Sequence, residues 1–271
     1  MHESNQGENV KHEHRALVLT IVGVFCAFSF AFITNEAVHE TGHWIAHVAY
    51  GAHVGVILDP FGGSRIVGGA NSSAPAGVTS LAGPLFSVLC SAVLFAILWH
   101  WRGPRSAPFL FMFPIALIQE GVTFSLGLLT PGGDASFVAA WGVPVPLLAT
   151  LGGILLLAGI AGLAAVLPLA GLSRDTRWGR VLIVAGTSMV TLMLLRFAVS
   201  VALRSGSRTE AVVPLVFSVL LALVVSAAFG PIQHAFTGRL RRISFPVSRS
   251  GVAISLILAI ATVAFQLTLL N

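Results

Sequence analysis

An all-α polytopic membrane protein is the fold class this sequence predicts, with about six to seven transmembrane helices and a small β-hairpin or sheet after the first of them. Three observations predict it. Apolar residues make up 56% of the 271 residues and charged residues only 9%, with a mean hydropathy of +0.91. An ordinary soluble domain carries about 25% charged residues, so this chain cannot cover a water-facing surface. The apolar residues fall in runs near the roughly 20 residues that cross a bilayer as helix. One stretch breaks that pattern, being Gly-rich with apolar residues at every second position.

The apolar runs lie at approximately 16–50, 79–101, 109–131, 145–170, 179–203, 211–230 and 250–270. The first is too long for one simple crossing. At about 1.5 Å per residue it would make roughly 52 Å of helix against a hydrocarbon core of about 30 Å. It therefore either projects from the membrane or breaks, with Thr34-Asn35 as the expected place. Residues 134–142 either continue the third run past a kink or form a short helix of their own.

Residues 51–78 differ in kind. Val54, Val56 and Leu58 alternate, Gly62-Gly63 follows, and Ile66-Val67 resumes the apolar pattern, so a β-hairpin is expected at 52–70. Lipid excludes an open sheet edge, which places this hairpin at the interface or in a protein-lined cavity. The domain reading is a polar N-terminal tail over 1–15, a transmembrane core over 16–142, and additional transmembrane helices of unassigned role over 143–271. The tail lacks the short apolar core and small-residue cleavage site of a signal peptide, so it is expected to be retained. Cys26 and Cys90 sit in apolar runs and read as small buried hydrophobes.

The net charge is +5, with fourteen Arg against one Lys. These cations lie mostly in short loops, which reads as topology signalling and lipid headgroup contact; no nucleic-acid partner is expected. The loop 235–249 carries Arg239, Arg241, Arg242 and Arg249 beside Phe236, Leu240 and Ile243, and suits an interfacial segment. With seven spans, the N-terminus and loops 102–108, 171–180 and 235–249 share one side and hold eleven Lys and Arg, against three on the other. The positive-inside rule puts that side in the cytoplasm.

The chemistry is carried by Glu36-Ala37-Val38-His39-Glu40-Thr41-Gly42-His43. On a helix His39 and His43 project from one face, one turn apart, and two imidazoles so spaced can bind one zinc ion. Glu40 stands about 100° around from His39, where it can reach a water held by the metal and act as general base. A metal-held water has its pKa lowered toward about 7, which is what amide hydrolysis requires. Two histidines and a water leave one protein ligand to find. The candidates are Asp134, Glu120, His47 and His53.

Asp134 is favoured. It follows a helix break at Pro131-Gly132-Gly133, the other two Asp fall in loops, and the ends of the first and third spans reach the same membrane face. Glu120 lies mid-span and reads as an alternative ligand or as a carboxylate behind one. His47 continues the stripe of His39 and His43, but three ligands in a row on a straight helix cannot close a tetrahedron. It is expected to line the cavity.

The order of these motifs resembles the site-2 protease family of intramembrane zinc metalloproteases. The resemblance covers roughly residues 30–140. It rests on His39-Glu40-Thr41-Gly42-His43, the Gly-rich hairpin, Leu81-Ala82-Gly83-Pro84-Leu85 opening the second span, and Pro131 to Asp134. It implies His39, His43 and Asp134 as ligands of one zinc and Glu40 as catalytic base. It implies a substrate that is a transmembrane helix of another membrane protein, partly unwound and held as a strand along Val54, Val56, Ile66 and Val67. It also implies a site nearer the cytoplasm, whereas the charge count puts the motifs nearer the outer face. The family usually has Asn ahead of the proline and Gly after the aspartate; here Gly127 or Thr130 stands near the first place and Ala135 in the second. That departure bears on hydrogen bonds to substrate more than on the metal. The competing functional readings are a metal-handling or transporter-like membrane protein using the same His/Asp site without proteolysis, and a catalytically silent binding scaffold.

Overall fold

The structure, a computed structural model, describes residues 2–59, 64–68, 75–129, 133–173, 176–204, 208–235 and 248–269; side chains are described from 13 to 198 and from 216 onward within those ranges. The described chain is helical apart from one two-stranded sheet. Seven of its helices are long and apolar enough to cross a membrane. The fold is an all-α polytopic membrane protein.

Helix α1 runs unbroken over His2–Ala49 and takes in the N-terminal residues. No proline occurs before Pro60, so nothing removes a hydrogen bond from its ladder. At about 72 Å it exceeds any bilayer core, and it projects. Thr34-Asn35 is not a break. Asn35 is buried and donates from Nδ2 to the carbonyl of Met112 at 2.7 Å. A polar residue in an apolar run marks an interhelical bond here.

α1 ends where Gly51 adopts φ +76°. The Ala52 N–H then reaches His47 O at 3.0 Å and the Gly51 N–H reaches Val48 O at 2.9 Å, the two bonds of a Schellman stop. A side chain at position 51 would resist that left-handed turn. The chain reverses at once into the sheet of β1 (Val54–Ile57) and β2 (Arg65–Gly68). The strands are antiparallel, with Val54 opposite Gly68, Gly55 opposite Val67 and Val56 opposite Ile66. Trp44 Nε1–H donates to Val54 O at 3.2 Å and ties the sheet to the end of α1. The expected Gly62-Gly63 tip lies outside the described residues.

α2 (Ala76–Leu98) buries small residues, Gly83, Ser87 and Ser91 among them, and turns Leu85, Leu89, Val93 and Ile97 outward. That apolar stripe has no partner among the described residues, as expected of a face turned to lipid. α3 (Ala107–Ser125) is the central helix, buried along most of its length. A single 3₁₀ turn at Gly127–Leu129 follows, then the short helix α4 (Asp134–Ala140), so residues 134–140 are separate from the third span. Pro131 and Gly132 lie outside the described residues. α5 (Val145–Val166), α6 (Trp178–Arg204), α7 (Arg208–Ala235) and α8 (Arg249–Leu269) complete the bundle. Most of the loop 235–249, including the arginines 239, 241 and 242, is outside the described residues.

Phe28, Phe111, Ile115, Leu163, Met189 and Phe229 belong to one buried cluster joining α1, α3, α5, α6 and α7. Amide side chains tie the helices further. Gln233 donates to Ala164 O at 2.8 Å, Gln266 to Ile33 O at 3.1 Å and Gln119 to Phe32 O at 3.4 Å. In lipid there is little hydrophobic drive between helices, so such bonds and close packing hold a bundle together.

Candidate metal centre

The last turns of α1 bring His39 and His43 to one face, with ring centroids 4.6 Å apart and the rings nearly perpendicular. α4 begins at Asp134 and points its carboxylate between them. His39 Nε2 lies 2.9 Å from His43 Nε2 and 3.1 Å from Asp134 Oδ2, and His43 Nε2 lies 3.3 Å from the same oxygen.

Each imidazole is fixed from behind. Glu120 Oε1 accepts from His39 Nδ1 at 2.9 Å, and the carbonyl of Thr79 accepts from His43 Nδ1 at 2.6 Å. A neutral imidazole has a single N–H. Spent at Nδ1, it leaves each Nε2 as a lone pair aimed at the common point. Two lone pairs and a carboxylate oxygen then converge, with Glu120 and His43 only 2% and 7% exposed. Such an arrangement calls for a cation. Bonds of about 2.0–2.1 Å around a tetrahedral metal put ligand atoms about 3.4 Å apart. The three separations here are slightly shorter than that, so His39, His43 and Asp134 fit a small divalent ion with little movement. Among the described residues these three form the group that could hold a metal.

Glu120 meets His39 on the side of the ring away from Asp134. It is the carboxylate behind a candidate ligand, and its bond at Nδ1 sets the tautomer of that ring. His47 and His53 stand outside the cluster, His47 half-buried and His53 exposed. Glu40 is half-buried, within electrostatic reach of His39, His43, Asp134 and Glu36, and has no hydrogen bond among the described residues.

The close approach of α1 and α2 makes the Thr79 bond available. A Cβ on Gly42 would lie 2.6 Å from Ala82 O, and a Cβ on Gly83 would overlap the His43 ring, 2.6 Å from Cε1. Two glycines face one another where the imidazole must pass.

In the sheet, Val54, Val56 and Ile66 share one face, but Val67, opposite Gly55, lies on the other. Of the four hairpin residues expected to bind substrate, three thus lie on one face of the sheet and Val67 on the other.

The structure adds one feature to those expected from the sequence. Glu36 and Arg196 form a two-pronged ion pair, Nη1 to Oε2 at 2.8 Å and Nη2 to Oε1 at 3.2 Å, with the guanidinium 4.7 Å from the Phe32 ring centroid. The sequence signal for it was an arginine inside an apolar span. Beside the pair, a cleft of about 550 Å³ lies between α1, α3, α6 and α7 and reaches Gly133 and Asp134. The Thr79 carbonyl, a backbone group, has no signature in sequence.

No protein-family model, curated protein or solved structure matches the chain.

Proposed function

We propose that this chain is an intramembrane zinc metalloprotease of the site-2 protease type, hydrolysing peptide bonds in or near transmembrane segments of other membrane proteins. The observation that carries the reading is the convergence of His39 Nε2, His43 Nε2 and Asp134 Oδ2 beside Glu40. Zinc held by these three would supply Lewis acidity to the scissile carbonyl and to the attacking water.

The chain's own residues do the rest. Glu120 and the Thr79 carbonyl hold both rings in the ligating tautomer, so no reorganisation is needed at the moment of reaction. Glu40 takes a proton from the attacking water as its oxygen bonds to the carbonyl carbon, then delivers it to the departing amide nitrogen as the C–N bond breaks. Glu40 also separates this reading from metal transport. A carrier needs ligands, and has no use for a base between two of them.

The test is a synthetic single-span peptide of about 20 apolar residues with an Asn-Gly-Pro helix break at its centre and a fluorophore–quencher pair. Purified wild-type protein in micelles is expected to cleave it. Glu40→Gln keeps shape but cannot accept the proton, so it should retain metal and lose cleavage. Cleavage by the Gln variant at the wild-type rate would overturn the assignment.

A further inference from the structure

The helices beyond residue 143 have no role in the chemistry above, yet two of them wall the cleft that reaches Asp134. The cleft's sides are mostly apolar, with Phe28 and Phe32 from α1, Ile118 and Val122 from α3, Met193 from α6 and Phe217 from α7. Among the polar residues that line it, Gln119 and Arg196 offer groups of opposite kinds. Gln119 Oε1 is buried and has no hydrogen-bond partner among the described residues, while the amide nitrogen donates to Phe32 O. Arg196 gives two N–H groups to Glu36, and its other donors have no partner among the described residues. One wall therefore offers an idle acceptor and another offers idle donors, while the Glu36 carboxylate cancels the arginine's charge.

A neutral donor–acceptor pair in an apolar cleft matches the main chain of an unwound peptide. A transmembrane helix that opens for cleavage exposes N–H and C=O groups, and lipid cannot satisfy them. Their cost is several kilocalories per mole each unless protein groups take them. Along α1, Glu36 lies on the cleft, His39 and His43 follow, and Trp44 holds the sheet. Glu36 to Trp44 spans about 12 Å of helix, the length of about four extended residues.

We infer that the cleft between α1, α3, α6 and α7 receives the unwound apolar segment of the substrate. Gln119 accepts from one of its backbone N–H groups, and Arg196, aimed by Glu36, donates to one of its carbonyls. Both are positioning residues. The inference rests on the proteolytic reading and assigns α6 and α7 a role in binding substrate.

The experiment measures binding, with cleavage silenced. Full-length Glu40→Gln protein in micelles is titrated with the helix-break peptide, labelled with one fluorophore, and with an unbroken helical peptide of equal length; anisotropy is the readout. The broken peptide should bind tighter than the unbroken one. Gln119→Leu and Arg196→Lys should each weaken the broken peptide by about tenfold or more, the cost of one unmade hydrogen bond, and leave the unbroken peptide unchanged. Thr123→Trp should fill the cleft and abolish binding. Metal content equal to that of the parent shows that each variant is folded. Equal binding of the two peptides, or wild-type affinity in both Gln119→Leu and Arg196→Lys, overturns the inference. A peptide that binds as expected but is never cleaved by wild-type protein counts against proteolysis alone. Cleavage by wild type, with binding indifferent to the cleft variants, counts against the cleft alone.

Discussion

Glu120 Oε1 lies 2.9 Å from His39 Nδ1, on the far side of the imidazole from Asp134. This one contact divides Asp134 and Glu120 between two tasks in the candidate site. Asp134 stands with the two imidazole Nε2 atoms where a metal could be held, and Glu120 orients the His39 ring. Replacing them should therefore have different consequences. Glu120→Ala is expected to weaken metal affinity by about 10–100-fold, as loss of a ligand's support does. Asp134→Ala removes a ligand outright and should weaken it much further. Competition with a chelator of known affinity measures both, and a larger loss in Glu120→Ala would exchange their roles.

Gly83→Ala separates packing from helix propensity. Propensity alone favours alanine inside a helix by about 1 kcal/mol. At this position, however, the added methyl overlaps the His43 ring. The expected outcome is a loss of both thermal stability and metal affinity. A variant that melts higher and keeps its metal would show that α1 and α2 do not need this approach.

The Glu36–Arg196 pair should show the asymmetry of desolvated ion pairs. Arg196→Met leaves Glu36 uncompensated and is expected to cost about 3–5 kcal/mol. Glu36→Leu combined with Arg196→Met removes both charges and should cost much less than the two single changes together. Unfolding in mixed micelles, arranged as a double-mutant cycle, reads the difference. Additive costs would mean that the two side chains do not depend on each other.

What the sequence made legible was local or periodic. The seven spans follow from runs of apolar residues, and the His39–Glu40–His43 arrangement from the fixed pitch of a helix. Asp134 was reachable because proline and glycine mark the end of a helix and because odd-numbered spans end on one face. Glu120 stayed ambiguous, since its role depends on which imidazole nitrogen it meets, and spacing does not encode that. Between projection and a break at Thr34-Asn35 the sequence leaves the choice open, because a polar residue in an apolar run has two explanations, and only its neighbour, the Met112 carbonyl, decides between them. Ile66 and Val67 are adjacent in β2 and face opposite ways in any register; which of them shares the face of Val54 and Val56 depends on the length of the connecting turn, and it is Ile66.

The unbroken α1 also bears on orientation. A break at Asn35 would have added a crossing and changed the side of every later loop, and none occurs. The charge count then predicts loop 235–249 in the cytoplasm and the candidate metal site toward the opposite face. A Ser248→Cys variant should resist a membrane-impermeant thiol reagent in intact cells. Labelling there would restore the orientation that the family resemblance implies.

Metal analysis of purified protein tests the central claim most directly, because the proposed proteolysis depends on one ion where His39, His43 and Asp134 converge. Wild-type and Glu40→Gln protein are each expected to carry about one zinc per chain, and the His39→Ala, His43→Ala double variant none. Stoichiometric zinc retained in the double variant, or a wild-type protein that takes up no zinc when it is offered, would contradict the account.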